Sequence, residues 1–183
     1  MRGKPNAVFF VYSHNYPDAL AISGIAARMG PILYIGKDGV LDPATRAYLE
    51  ECVISDGARI IGGPAVISEN AEENIVSCGV PKARVSRIYG ENRYETCDRI
   101  NEAFAALPLK NDICIATGTN FPDALAGGVL AAKTKSPMLL VGTSLTDAQK
   151  AYIRGQKPNQ IFVFGGTGAV SDAIANDAVK AAK

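Results

Sequence analysis

A seven-residue stretch occurs twice in this chain of 183 residues. Residues 15–21 read Asn-Tyr-Pro-Asp-Ala-Leu-Ala, and residues 120–126 repeat them with only Tyr16 replaced by Phe121. Each copy follows an apolar run and a short polar turn. The duplication indicates two copies of one supersecondary unit, so the same fold must explain both halves.

The separation between matching landmarks is nearly constant along the chain. Asn15 and Asn120 are 105 residues apart, and Pro31 and Pro137 are 106 residues apart. Gly62 and Gly165 are 103 residues apart. Apolar runs of strand length lie at matching places, and segments with helical periodicity follow them. The predicted strands are 7–12, 31–36 and 58–61 in the first copy, and 112–116, 137–142 and 160–164 in the second. The predicted helix caps are Asn15, Asp42, Ser68 and Thr146, because such side chains accept hydrogen bonds from a first turn.

Strands that alternate with helices favour parallel sheets, because parallel strands need crossover connections, which are usually helices. Uninterrupted apolar runs such as 161–164 are typical of strands that are covered on both faces. We therefore predict an α/β fold built from tandem small three-layer units, with parallel sheets and βαβ crossovers.

One segment of the second copy has no counterpart in the first. Its sequence predicts a short strand and a tight turn, followed by a helix from about Glu91 to Ala106. The first copy begins directly at the strand 7–12. The sequence therefore predicts two repeats, an N-terminally incomplete one over residues 1–83 and a complete one over residues 84–183.

The composition excludes several classes of function. A net charge of +1 gives no electrostatic footprint for nucleic acid, and no apolar run reaches the roughly 20 residues that span a bilayer. The four cysteines form no Cys-x-x-Cys pair and there is one histidine, so we predict no metal site and no cofactor. Ser13 and His14 are adjacent in the sequence, which is a poor arrangement for a catalytic pair.

The glycine-rich turn 165–168 lies between a predicted strand and a predicted helix, where phosphates bind in some α/β proteins. This turn follows the last strand of its unit, whereas a dinucleotide-binding turn follows the first strand. A tight turn that ends a buried strand also explains the glycines. A nucleotide-binding or hydrolytic α/β enzyme that uses this turn is the alternative function.

The repeated motif itself is a candidate ligand surface. Asp18 and Asp123 suit the positive end of a helix dipole, and capping is one explanation for them. Asn15 and Asn120 stand beside an aromatic ring at the carboxyl end of a strand, where α/β sheets place ligands. A ring that stacks on a sugar and an amide that binds hydroxyls would suit a carbohydrate.

The segment that opens the second copy is rich in arginine and tyrosine. Arg87, Arg93 and Tyr94 either belong to a solvated helix start or line a groove for an anionic polymer, since arginine binds phosphate and carboxylate in a bidentate manner. Both interpretations are open from the sequence.

Four ordered motifs of the second copy resemble the cell-wall-binding repeat 2 family. They are 87–96 (Arg-Ile-Tyr-Gly-Glu-Asn-Arg-Tyr-Glu-Thr), 120–126, the strand Pro137-Met138-Leu139-Leu140, and 164–171. The first copy resembles the family through 15–21, 31–34 and 62–68, without the opening motif. The resemblance covers almost the whole chain.

The resemblance implies a non-catalytic anchoring module of Gram-positive surface proteins, located outside the cell in a fragment that lacks its signal peptide. Such repeats occur in threes, pack with pseudo-threefold symmetry, and bind anionic cell-wall polymer such as teichoic acid or polysaccharide. The implied partners are therefore that polymer and a third unit or other copies of the chain. The polymer-contact residues implied by the resemblance are Pro31, Ile32 and Leu33, and Pro137, Met138, Leu139 and Leu140.

Overall fold

The structure is a computed structural model that describes residues 5–107 and 112–183. The first sheet is parallel and contains four strands in the order β2-β1-β3-β4. The helices α1 to α3 connect successive strands of this sheet. These elements are β1 Ala7–Tyr12, α1 Pro17–Met29, β2 Ile32–Ile35, α2 Pro43–Glu51, β3 Gly57–Ile61, α3 Asn70–Ser77 and β4 Val85–Ile88, with a 3₁₀ turn at Lys82–Arg84 before β4.

The second sheet is also parallel and has the order β6-β5-β7 within the described residues. Its central strand is the counterpart of β1, and both central strands are continuous apolar runs with buried side chains. The remaining elements are α4 Arg93–Ala103, β5 Asp112–Thr117, α5 Phe121–Thr134, β6 Met138–Val141, α6 Asp147–Gln156, β7 Gln160–Phe164 and α7 Asp172–Ala181. The predicted α/β architecture with parallel sheets is confirmed.

The strand β4 joins the two sequence copies. It comes from the segment that opens the second copy, yet it pairs with β3 of the first sheet, with Ala58 opposite Val85 and Ile61 opposite Ile88. The chain then returns to the second unit through α4. The first sheet therefore extends across the predicted boundary at residue 83, and the division into two repeats remains a prediction about the sequence.

The helices α1 and α5 pack closely against each other between the units. A Cβ placed on Gly24 would lie 2.2 Å from the carbonyl oxygen of Ser136, and a Cβ on Gly128 would lie 3.0 Å from Oγ of Ser23. Only a residue without a side chain fits at Gly24. The two copies of the repeated motif are thereby held next to each other.

The helix α4 covers the outer edge of β6. Its Asn101 Nδ2 donates to the carbonyl oxygen of Met138 at 2.8 Å, and its Cys97 Sγ donates to the same oxygen at 3.1 Å. The backbone N–H of Leu140 in turn donates to Cys97 Sγ at 3.3 Å. These bonds satisfy backbone groups that an edge strand would otherwise leave unpaired.

Two of the four predicted helix caps are confirmed. Asp42 accepts from the backbone N–H groups of Ala44 and Thr45, and Thr146 forms a capping box with Gln149. The other two predictions are wrong. Tyr16, not Asn15, precedes α1 and makes no side-chain cap, while the Ser68 hydroxyl donates to the carbonyl oxygen of Asp38 at 2.7 Å.

Candidate functional site

A cluster around Arg93 lies where the carboxyl ends of β1 and β5 meet. The guanidinium of Arg93, at the first position of α4, donates to the carbonyl oxygen of Gly118 and lies 5.9 Å from the centre of the Tyr16 ring. The Tyr16 ring is 5.4 Å from that of Phe121, and its hydroxyl donates to the carbonyl oxygen of Thr119 at 3.1 Å. The structure thus brings the two aromatic residues of the repeated motif into contact.

Asp18 lies beside this cluster in the first turn of α1. Burial raises its pKa to about 6, and the neighbouring Arg93 charge opposes that rise. Its carboxylate faces Gly62 after β3, and Asp123 faces Gly165 after β7 in the same way, since a Cβ on those glycines would lie 3.2 and 2.7 Å from the carboxylate oxygens. Both glycines have a positive φ, 126° and 108°, which favours glycine in these turns.

Tyr94 begins a groove along the carboxyl ends of the second sheet. Its ring lies against two glycines that end strands, because a Cβ on Gly118 would be 2.5 Å from the ring and one on Gly142 would be 3.5 Å away. The groove on one side of the ring has a volume of about 530 Å³. Its polar lining consists mainly of hydroxyl groups, from Thr117, Thr119, Thr143, Thr167 and Ser171.

A second groove of about 420 Å³ continues on the other side of Tyr94. It differs in charge, because Glu95 and Asp98 line it. Burial raises the pKa of Asp98 to about 6, although Gln149 Nε2 donates to its carboxylate at 3.1 Å and opposes the rise. We call the two together the β5–β7 groove, with a hydroxyl side and an acidic side.

The predicted site residues of the repeated motif are accessible to different degrees. Asn15 and Asn120 are exposed, and half of the Phe121 side chain is accessible. Asp18 and Asp123 are half-buried beside their glycine turns. The two asparagines thus lie on the surface, while the two aspartates lie against the glycine turns.

Arg87, a candidate polymer contact, forms hydrogen bonds within the protein. Its side chain is only 8% exposed and donates to the carbonyl oxygens of Gly62, Ile67 and Ser68 at 2.9–3.1 Å, and to the Glu72 carboxylate at 3.1 Å. These bonds fix the loop between β3 and α3. The guanidinium has few donors left for a ligand.

The two segments of implied polymer contacts, 31–33 and 137–140, lie in different surroundings. Pro137, Met138, Leu139 and Leu140 are buried, so their side chains are not on the surface of this chain. The helix α4 and the helix α1 cover β6. Pro31, Ile32 and Leu33 are half-buried because the described residues contain no counterpart of α4 beside β2.

The turn 165–168 lacks the features of a phosphate site. The backbone N–H groups of Ala169 and Val170 both donate to the carbonyl oxygen of Gly166, at 2.8 and 3.0 Å. The carboxylate of Asp123 lies against Gly165 and would repel a phosphate. The geometry therefore gives no support to the nucleotide alternative.

Ser13 and His14 are in hydrogen-bond contact, contrary to the expectation from their adjacency. Ser13 Oγ is 2.8 Å from His14 Nδ1, and both residues are exposed. The His14 ring lies 5.4 Å from that of Tyr12. Among the residues that the structure describes, none of the hydrogen bonds or ion pairs joins a carboxylate to the imidazole as in a catalytic triad.

The threonines of the hydroxyl side are not among the site residues predicted from the sequence. Each lies at or just after the carboxyl end of a strand, as Thr117 and Thr119 do after β5, Thr143 after β6 and Thr167 after β7. That recurrence is a signal in the sequence, because these ends lie together at one edge of a parallel sheet.

The family of this chain is shown by a match to a known family profile. The profile of the family described as cell wall binding domain 2 matches residues 4–72 and 87–175. The chain belongs to this family. Its members bind the cell wall, and the chain is accordingly a wall-associated binding module.

Two curated relatives come from Bacillus subtilis (strain 168). N-acetylmuramoyl-L-alanine amidase LytC is 30% identical over 178 residues, and the amidase enhancer is 29% identical over 177 residues. The matches cover 96% of this cell wall binding chain but only 34% and 23% of the two relatives. The chain therefore spans about a third or less of the length of these proteins.

Two solved structures share the fold. Cwp6 from Clostridium difficile superposes with a TM-score of 0.87 at 25% identity, over 97% of this chain and 28% of that one. Cwp8 from the same organism gives a TM-score of 0.77 at 24% identity, over 97% of this chain and 29% of that one. In the described part of the chain no helix combines the length and apolarity needed to cross a membrane.

Proposed function

We propose that this chain is a non-catalytic module that holds a surface protein in the cell wall by binding an anionic wall polymer outside the cell. The observation that carries the proposal is the hydroxyl side of the β5–β7 groove in a member of a cell wall binding family. The Thr117 and Thr119 hydroxyls bond each other, and the Ser171 hydroxyl caps α7. The exposed Thr143 and Thr167 beside the tyrosine ring suit a sugar backbone, since hydroxyl groups bind its hydroxyls while the ring stacks on its apolar face.

The charge distribution orients the polymer within the groove. The residues that line the hydroxyl side include no carboxylate, whereas Glu95 and Asp98 line the acidic side. Anionic groups of the polymer therefore bind on the hydroxyl side, where Arg93 donates to the carbonyl oxygen of Gly118, between Thr117 and Thr119.

The module further needs neighbouring repeat units to complete its assembly. This part of the proposal rests on the internal repeat, in which the second unit covers α1 of the first unit and supplies β4 to its sheet. The amidase and the amidase enhancer that match this chain are longer proteins, so we propose that the module likewise anchors a fused effector.

The test is a pull-down on purified cell walls before and after their anionic polymers are removed. We expect retention of the chain on intact walls and loss of retention on stripped walls. The variants Thr143→Asp and Thr167→Asp place negative charge in the hydroxyl side, and each should weaken wall binding by about tenfold. Ala47→Asp makes the same charge change on an exposed position of α2 and should bind as the parent does.

Retention that is unchanged on stripped walls would contradict the polymer proposal. Equal loss of binding in Ala47→Asp would show that net charge, not the groove, controls retention. Circular dichroism of each variant separates weakened binding from unfolding.

A further inference from the structure

The outer edge of β4 has no neighbouring strand within the described residues, because β4 ends the first sheet. On the inner side, the N–H of Gly62 donates to the carbonyl oxygen of Ile88 at 3.0 Å, so the backbone groups of Ile88 face β3. Backbone groups of successive residues in a strand point to opposite sides. The N–H and carbonyl groups of Arg87 and the N–H of Tyr89 therefore point to the open edge.

A groove of about 790 Å³ runs between β4 and α3 on this side of the sheet. Val85, Arg87 and Tyr89 line it, because alternate side chains of a strand share one face. Val76 of α3 lines it as well; Val76 and Val85 are half-buried, and 48% of the Tyr89 side chain is accessible. We call this space the β4 groove. It offers apolar surface next to backbone groups that point to an open edge.

One end of the β4 groove is acidic. The helix α3 runs opposite to β4, because it connects the carboxyl end of β3 to the amino end of β4. Glu69 and Glu73 therefore line the groove towards the carboxyl end of β4, where Arg87 is paired with Glu72 at 3.1 Å. Glu69 and Glu73 are exposed, and no ion pair in the described part of the chain includes them.

The charge of Glu73 is not required by the packing of the repeat. Counted from the serines that precede α3 and α7, Glu73 matches Asn176, whereas Glu69 matches Asp172. The helix α7 forms and buries its inner face with asparagine at this position. The negative charge of Glu73 is therefore available to a partner outside the unit.

We propose that the β4 groove binds an extended segment of a partner protein, which adds a fifth strand to the first sheet and carries basic side chains beside Glu69 and Glu73. The open backbone groups of β4 require a partner in the extended conformation, as in other cases of strand addition. Every second side chain of such a segment enters the groove. An apolar side chain would then pack near Val76 and Val85.

This interaction surface is separate from the β5–β7 groove. It uses the edge of the other sheet, and none of the residues that line the β4 groove lines the hydroxyl side or the acidic side. The proposal therefore goes beyond wall binding and does not depend on the polymer.

The charges favour a basic segment over a second copy of this chain. Three glutamates line the β4 groove, against Lys82 and Arg87 as its basic residues. Two copies joined edge to edge at β4 would place both grooves on one face of a continuous sheet and would bring two negative excesses together. A basic segment instead neutralises the excess.

The experiment titrates the chain with blocked peptides of about seven residues, the length of an ordinary strand. One valine and two lysines alternate with threonines, and a second peptide has the reversed sequence, so that both strand directions are tested. Hydrogen exchange of the Arg87 and Tyr89 amides is measured by NMR. At about ten times the dissociation constant the edge is free about a tenth of the time, so one direction should slow exchange about tenfold.

Two changes in the peptide separate the contacts. Glutamate in place of both lysines reverses the charge and should remove the protection of the Arg87 and Tyr89 amides. Methylation of the peptide nitrogens that face β4 keeps the charge but removes the backbone donors, and should also remove the protection. The amide of Ile60 in β3 should stay protected throughout, which shows that the sheet is intact.

Two variants of the chain test the acidic end. Glu73→Asn introduces the residue that α7 carries and should weaken binding of the lysine peptide by about threefold, as expected for one exposed ion pair. Glu51→Asn makes the same charge change at an exposed position of α2, outside the groove, and should bind as the parent does.

Unchanged exchange at Arg87 and Tyr89 with both directions of the lysine peptide would overturn the proposal. Equal protection by the glutamate or the methylated peptide would overturn it too, as would equal weakening by Glu51→Asn and Glu73→Asn. Slow exchange without peptide, together with a dimer in sedimentation, would assign the edge to a second copy and would equally overturn it. No wall polymer is present, so the outcome is independent of polymer binding.

Discussion

Asp18 and Asp123 occupy the same position of the repeated motif but have different neighbours. Both carboxylates lie against the first glycine of the turn that follows the third strand of their unit. Asp18 is also beside Arg93 of the neighbouring unit, and burial raises its pKa to about 6. The sequence predicts a place in the first helical turn for both aspartates, whereas the contact with the glycine and the effect of the neighbouring unit depend on how the chain packs.

Asp18→Asn should stabilise the chain at neutral pH. The ordinary pKa of 3.8 rises to about 6 in the folded state, so the unfolded state loses its proton first as the pH increases. The free energy of unfolding therefore falls between about pH 4 and pH 6, by on the order of 1–3 kcal/mol from this group. Asn cannot ionise, so the variant lacks this decline in urea unfolding measured across that range.

A second variant controls this result. Asp98→Asn should remove a separate part of the same decline, because burial also raises the pKa of Asp98 to about 6. A decline in stability between about pH 4 and pH 6 that is as large in Asp18→Asn and Asp98→Asn as in the parent would contradict the role of both buried carboxylates.

At the level of the elements, the sequence predicted what depends on local chemistry. The caps Asp42 and Thr146 are correct because their oxygens need only the next three residues. The prediction that Ser68 caps a helix is wrong because its hydroxyl donates instead to the carbonyl oxygen of Asp38, which is distant in the sequence. The same limit applies to β4, whose pairing with β3 is a long-range choice that its own residues do not encode.

The residues of the candidate site also differ in whether local sequence or long-range packing determines their role. The accessible Asn15 and Asn120 follow from a motif at strand ends. For Arg87 the sequence leaves a solvated helix start and a polymer groove open, and the structure shows its guanidinium bonded to the loop after β3. Arginine suits a polymer phosphate and three carbonyl oxygens alike. The position of β4 beside that loop brings the Arg87 guanidinium to the three carbonyl oxygens.

The packing of α1 on α5 predicts opposite effects for two glycine substitutions. Gly24→Ala puts a Cβ 2.2 Å from the carbonyl oxygen of Ser136, and should destabilise the chain by about 1–3 kcal/mol. Gly155→Ala, inside α6, meets no heavy atom within 4 Å and should stabilise it by about 0.5–1 kcal/mol. Thermal unfolding measures both. Equal stability of Gly24→Ala and the parent would contradict the close helix approach.

At the level of the whole molecule, three structural links connect the two units. The strand β4 extends the first sheet, α4 contacts α1 while it caps β6, and α5 packs on α1. One hydrophobic cluster accordingly contains residues of both units, among them Phe9, Leu20, Ile100 and Cys114. Small α/β units gain much of their stability from such shared burial.

These links predict that the two units unfold together. Ile75 and Ile153 are fully buried in the separate clusters of the first and second unit, and truncation of either to Ala should cost about 2–5 kcal/mol. We expect each variant to lower the midpoint of one shared transition, detected equally by circular dichroism and by calorimetry. Hydrogen exchange should then accelerate in β3 and in β5 for both variants. Two separate transitions, or a loss of protection confined to the mutated unit, would show that the units are independent domains.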